Sequence, residues 1–190
     1  EQIRSVLSEG TSVTISTVAP SNSILDASGT VVDTIAADDD DSNGGTITVD
    51  SAINVAGGSG AGGLTLTADK DIQVNAALQN ATGSGDLTLS SKTGVTIDSG
   101  GSIQWDPGSA GSVLIESSDS GGLEGNGPIF NDNGTLVISQ VGNTTFSGPI
   151  SGAGSGLIKS GVGRLSLNGT NTYTGDTTVN SDSTLVISGT

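Results

Sequence analysis

Apolar and polar residues alternate along most of this chain in runs of four or five, and the runs are separated by clusters of Gly, Ser, Asp and Asn. Gly45 to Val55 reads GTITVDSAINV, Gly63 to Val74 reads GLTLTADKDIQV, and Asp86 to Ile97 reads DLTLSSKTGVTI. A period of two puts Leu64 and Leu66 on one face of a strand and Thr65 and Thr67 on the other. These segments therefore predict pairs of short, half-buried strands with a shared internal offset. The inward pairs Leu64/Leu66, Leu87/Leu89, Val113/Ile115 and Leu136/Ile138 recur at about 20 to 26 residues, an interval that marks one coil of a solenoid. The second strands, Ile53/Val55, Ile72/Val74 and Val95/Ile97, are expected to follow in step. Only the first dozen residues differ, because Ile3, Val6 and Leu7 fall at helical spacing before Gly10 and predict a helical turn or a distorted first coil.

A coil of about 22 residues sets each strand beside its counterpart in the next coil, in parallel and about 4.8 Å away. Eight or nine such coils would make a rod about 40 Å long, with parallel pairing along its whole length and stability drawn from neighbouring coils. The turns GGSGAGG at Gly57 to Gly63, SGG at Ser99 to Gly101 and SGG at Ser120 to Gly122 suit positive φ. Pro20, Pro107, Pro128 and Pro149 all lie beside turn residues, where a missing N–H does little harm. The expected fold is all-β, a right-handed parallel β-helix, its hand set by the rule for parallel crossovers.

The last forty residues carry a more specific pattern. From Gly152 to Gly189 a glycine-rich lead is followed by a strand with Leu165 and Leu167, then NTYTG at Asn171 to Gly175, TTV at Thr177 to Val179, and a closing stretch from Ser183 to Gly189. In order and spacing this resembles the passenger-associated repeat of bacterial autotransporters. Upstream, GTSVTIS, TITVDSAINV and DLTLSSKTGVTI resemble, with looser motifs, the haemagglutinin-type repeats of large two-partner secreted adhesins, over roughly residues 1–105. Both families share the parallel β-helix. The resemblances imply haemagglutinin-like coils over 1–105 and autotransporter-repeat-like coils over 106–190, with a change of repeat type near Trp105 to Ser109. They imply one continuous β-helix, an excerpt of a larger protein. Proteins of these families are secreted across the outer membrane and displayed as stalks, adhesins or matrix proteins, and the repeat block is thought to assist folding and secretion of the passenger.

Composition narrows the chemistry. Leu, Ile, Val and Phe make up about a quarter of the chain, enough for a core. With one Trp, one Tyr, two Phe and no Met, that core has to be thin and built from stacked aliphatics. Twenty acidic against five basic residues give a formal charge of −15 with no basic cluster, which argues against nucleic acid and anionic lipid as partners. The same charge admits calcium. Asp38, Asp39, Asp40 and Asp41 are the candidate metal-binding residues, with Asp33, Asn43 and Asp50 able to join only if the loop folds back. The segment lacks both the alternating EF-hand pattern and the GGxGxD of a calcium β-roll, so a solvated loop is its default.

Enzymatic chemistry is poorly provided for. There is no Cys and no His, which removes thiol nucleophiles, a Ser/His/Asp triad and the preferred zinc ligands. Parallel β-helices include pectin-degrading enzymes, so the acids Asp69 and Asp71 beside Lys70, and Asp132, are the candidates for a catalytic group. Such enzymes line one groove with acids and bases, whereas the bases here are Arg4, Arg164, Lys70, Lys92 and Lys159, scattered along the chain. Gly58, Gly60 and Gly63 satisfy GxGxxG, but a strand rather than a helix follows, so they are turn glycines. Outward threonines such as Thr46/Thr48 and Thr65/Thr67 would form an ice-binding row only on uniform coils, and Asp50, Asn54 and Gln73 share their outward positions. The sequons at Asn80, Asn133, Asn143 and Asn168 are as frequent as chance allows in so Asn- and Thr-rich a chain. Tyr173 is expected to be structural, and Trp105 to sit at a turn, in a cap or on a carbohydrate-facing surface.

The sequence thus points to a structural and adhesive stalk segment, without catalysis or cofactor, at the cell surface or outside the cell. Its expected partners are neighbouring coils of its own chain and a host or matrix protein or glycan. A calcium-binding surface scaffold and a polysaccharide-processing β-helix enzyme are the alternatives. No signal peptide and no apolar run of membrane-spanning length is present, so any secretion signal or anchor is expected outside this segment.

Overall fold

The computed structural model describes residues 13–16, 23–26, 31–34, 45–55, 63–80, 85–105 and 111–189. In chain order the strands begin with β1 (Val13–Ser16), β2 (Ser23–Asp26), β3 (Val31–Thr34), β4 (Ile47–Val49) and β5 (Ile53–Asn54). Four complete coils follow, each with three strands. They are β6 (Leu64–Ala68), β7 (Asp71–Val74) and β8 (Ala77–Asn80); β9 (Leu87–Ser91), β10 (Gly94–Ile97) and β11 (Ser102–Trp105); β12 (Val113–Ser117), β13 (Leu123–Gly125) and β14 (Ile129–Asn131); β15 (Thr135–Gln140), β16 (Thr144–Phe146) and β17 (Ile150–Ser151). The chain closes with β18 (Gly156–Ser160), β19 (Arg164–Leu167), β20 (Thr177–Val179) and β21 (Thr184–Ile187). The result is an all-β solenoid of about five turns.

Stacking of the coils builds three sheets. The first runs β20-β18-β15-β12-β9-β6-β1-β2-β3, the second β21-β19-β16-β13-β10-β7-β4, and the third β17-β14-β11-β8-β5. In the first sheet Leu64 pairs with Leu87, Leu87 with Val113, Val113 with Leu136, Leu136 with Leu157, and Leu157 with Thr177. Every one of these steps falls within the coil length expected from the sequence. Because parallel pairing in register keeps a side chain on the same face from coil to coil, each inward position becomes a column. Ile15, Leu66, Leu89, Ile115 and Ile138 form one column of the first sheet. Ile53, Leu78, Ile103, Ile129 and Ile150 form one in the third. All but Ile53 of these are buried, and burying each Leu or Ile stabilises the rod by roughly 1.5 to 3 kcal/mol. Gly125 lies in a column of the second sheet between Ile97 and Phe146, so the bulky ring of Phe146 stacks next to the smallest residue.

Several sequence expectations need correction. The rod has fewer coils than eight or nine, because Val13 of β1 takes as its parallel partner Leu64 of β6, more than two coil lengths further along the chain. Seven strands of the second sheet at about 4.8 Å give a ladder about 29 Å long, shorter than the expected rod. Pairing is not parallel throughout: β2 lies antiparallel to β1, and β3 antiparallel to β2. The strands of 45–55 are also out of phase with the reading from sequence. Ile47 and Val49 pair with Ile72 and Val74, and Ile53 pairs with Leu78, so this segment supplies the second and third sheets and not the first and second. The spacing held the signal, because Ile47 and Ile53 are set apart just as Ile72 and Leu78 are, and closer together than Leu64 and Ile72. The helical expectation for the first dozen residues lies outside the described residues.

Candidate functional site

On the outside of the rod, the polar side chains are engaged chiefly with adjacent coils. Lys92 pairs with the carboxylate of Asp69. Asp71 accepts hydrogen bonds from Thr46 at 3.3 Å, Thr93 at 3.5 Å and Gln73 at 3.2 Å, which ties three successive coils together. Asp132 accepts from the main-chain N–H of Ala153 at 2.5 Å. Asp69 and Asp71 thus share the corner between β6 and β7, Asp132 lies at the corner between β14 and β15, and each serves a structural bond. Among the described residues no three or more His, Cys, Asp or Glu side chains gather in a metal-holding group. Asp38, Asp39, Asp40 and Asp41 lie outside the described residues, as do Gly58 and Gly60.

The threonine rows are broken by the coil phase. Thr48 is on β4 in the second sheet and Thr65 and Thr67 are on β6 in the first, so they share no face. Along the first sheet Thr14, Thr65 and Thr88 are in register, but the same outward row continues with Leu114, Val137 and Ile158. Asn80, the first residue of a sequon, is fully buried. At Asn143 the side-chain Oδ1 is occupied, accepting from Arg164 N at 2.8 Å.

A strand period of two does not reveal the polar residues that this fold turns inward. Trp105 is fully buried, and its indole N–H donates to Gly85 O at 2.8 Å, which overturns a carbohydrate-facing role. Asn80 and Asn131 are its column neighbours in the third sheet, both fully buried. Gln140 bridges three coils: its Oε1 accepts from Leu123 N at 3.2 Å, and its Nε2 donates to Gly142 O and Thr144 Oγ1, each at 2.9 Å, and to Arg164 O at 3.1 Å. Lys159 is fully buried on β18, and desolvation holds its ammonium below the ordinary value of 10.5.

The terminal coil explains its own motif. The Asn171–Gly175 segment stands where a third-sheet strand would lie and docks on the coil beneath by hydrogen bonds. Thr172 N donates to Ile150 O at 2.9 Å, Asn171 Oδ1 accepts from Ile150 N at 3.3 Å, and Thr174 Oγ1 accepts from Gly154 N at 2.8 Å. Gly175 N donates to Ser155 O at 2.8 Å, and a Cβ at Gly175 would lie 2.4 Å from that same oxygen, so only glycine fits. Tyr173 packs on the core while its hydroxyl and Thr177 Oγ1 are 2.9 Å apart, in keeping with a structural role. Beyond this coil, β20 and β21 are the last strands of their sheets. Val179 is 45% and Ile187 49% exposed, although their columns are buried one coil below. The candidate site is therefore the outer face of this coil, where β20 and β21 present main chain able to pair and apolar side chains able to be buried.

No curated protein and no solved structure matches the chain. A family model does, and the segment it covers, residues 157–187, runs from β18 to the end of β21: the closing coils of this solenoid match the passenger-associated-transport-repeat, the repeat of autotransporter passengers.

Proposed function

We propose that this chain is a structural and adhesive stalk segment of a secreted bacterial surface protein, an autotransporter passenger or large adhesin, displayed on the cell surface or released outside the cell. It performs no catalysis and needs no cofactor, and its terminal repeat assists folding and secretion of the passenger. The observation that carries this reading is that the matched passenger repeat is itself a set of coils stacked in parallel register, β20 on β18 and β21 on β19. An open edge offers unpaired main-chain groups in the register of the coil beneath, so a further coil adds by nearest-neighbour growth. Lys159 is buried, and Asp71 and Asp132 hold neighbouring coils together by hydrogen bonds, which supports a structural role for these candidates. The partners are neighbouring coils of the same larger chain and a host or matrix protein or glycan, met by the outer faces.

Surface display tests the reading. Placed ahead of an outer-membrane β-barrel that exports passengers, the intact chain is expected to reach the surface as a protease-resistant rod. Removal of residues 157–189 is expected to leave displayed material protease-sensitive. Equal resistance with and without the repeat would sink the folding role. Binding of the displayed rod to an array of matrix proteins and glycans is expected, and binding to none of them reduces the segment to a passive spacer.

A further inference from the structure

The column that begins with Ile15, Leu66, Leu89, Ile115 and Ile138 continues with Lys159 and then Val179. Lys159 is thus an amine at a core position, and it is 0% exposed. Its Nζ donates to the carbonyls of Ser160 and, at 3.1 Å, Gly161. Carbonyl oxygens bring partial charge only, and a cation removed from water costs several kcal/mol unless a carboxylate offsets it.

None of the surrounding elements supplies one. The strands on either side, β15 and β20, contain no titratable residue, and neither do β16 or β21. Arg164 on β19 is exposed, as are Asp176 before β20 and Asp182 between β20 and β21. Among the described residues Lys159 has no ion-pair partner.

What closes over this amine is the last coil. Val179 stacks next to Lys159 in register, and Ser183 Oγ donates at 2.7 Å to Gly161 O, the carbonyl that also receives the amine. With β20 and β21 undocked, Lys159 would stand at the open end of the rod, where water reaches it.

We infer that docking of β20 and β21 onto β18 and β19 is a proton-linked latch, in which sealing the core over Lys159 favours release of the proton that its amine carries while the coil is open. This goes beyond the proposed stalk role and does not depend on it. The docked state binds fewer protons than the open one, so docking strengthens as pH rises toward 10.5, the ordinary lysine value, by up to about tenfold per pH unit. Below the lowered lysine value both states keep the proton and the dependence stops.

Hydrogen exchange on the whole chain reads this. Protection of the β20 and β21 amides, corrected for intrinsic exchange rates, is expected to rise with pH across the interval that ends near 10.5, and the rise is expected to vanish in Lys159→Met. Any other effect of pH is shared by the two proteins and cancels in the comparison. Identical pH profiles in the two proteins would overturn the latch. Should Lys159→Met not fold, the unmodified chain still decides: the Lys159 side-chain nitrogen followed by NMR is expected to titrate below 10.5, and a midpoint at or above that value overturns the inference.

Discussion

At the scale of single residues, Trp105 and Gln140 are side chains turned inward whose polar atoms tie the coils together. Trp105 is the only tryptophan and is fully buried. Its emission is therefore expected to be blue-shifted in the native chain and to move to the red on unfolding, which gives a direct readout of the core. Trp105→Phe keeps most of the apolar area but leaves Gly85 O without its indole donor, a loss of about 1 to 3 kcal/mol. Denaturant titration followed by circular dichroism measures it, and an unchanged midpoint would mean the bond contributes nothing. Gln140→Leu is expected to cost more, about 2 to 4 kcal/mol, because it abandons the buried Leu123 N–H and removes donors from three further acceptors. These sites are hidden in the sequence for a physical reason. A Gln or Lys at an inward position interrupts the apolar alternation, and several of the partners that satisfy it lie a whole coil away along the chain. The aliphatic columns are legible because each needs only its own strand's period of two.

Among the elements, the corners are as ordered as the strands. Asp50, Asn75, Asp98 and Asn126 each follow directly after a paired residue of the second sheet, and Asn75 N, Asp98 N and Asn126 N donate to Val49 O, Val74 O and Ile97 O of the coil beneath. The column alternates acid and amide, and Asn75 Nδ2 bonds Asp50 Oδ1 at 2.8 Å. Like charges about 4.8 Å apart repel, so the alternation keeps carboxylates two coils apart. Asn75→Asp places three in a row and is expected to destabilise the chain by about 1 to 2 kcal/mol at pH 7. Protonation removes the charges that repel, so the deficit is expected to shrink as pH falls through the carboxylate range, and also in high salt. Thermal melts at pH 4 and pH 7, with and without added salt, check this; a deficit equal in all conditions would point to the lost hydrogen bond alone. Legibility at this scale is partial. The first-sheet and second-sheet strands are evident from Leu64, Ile72 and their repeats. The third sheet escapes a reading of periodicity because the inward positions after Leu78 and Ile129 are the polar Asn80 and Asn131, so the apolar alternation is broken within each strand. Strand β18 escapes it because Lys159 disguises its inward face as part of a glycine-rich lead.

For the whole molecule, the two ends of the ladder differ, and that difference decides how copies associate. At one end the first sheet finishes in β2 and β3, which run antiparallel and offer that sheet no parallel register, while the second and third sheets finish in β4 and β5. At the other, β20 and β21 end their sheets with Val179 and Ile187 about half exposed. Head-to-tail growth into fibres requires that one end accept the other, a heterologous contact repeated without closure. Here the open end is unlike its would-be acceptor, whereas two open ends brought together about a twofold axis match edge to edge and then leave nothing exposed to grow from. A formal charge of −15 opposes that encounter at low ionic strength, and salt screens it. The 190-residue chain is therefore expected to be monomeric in dilute, low-salt solution and to shift to a dimer, without longer polymers, as salt and concentration rise. Light scattering across a salt series measures the masses. Lysine at the edge blocks such pairing in natural sheets, so Val179→Lys with Ile187→Lys is expected to hold the chain monomeric throughout. A strict monomer in the unsubstituted chain at high salt and concentration would show that the open edge is not competent to pair, and polymers longer than a dimer would show that the antiparallel strands do not block the other end.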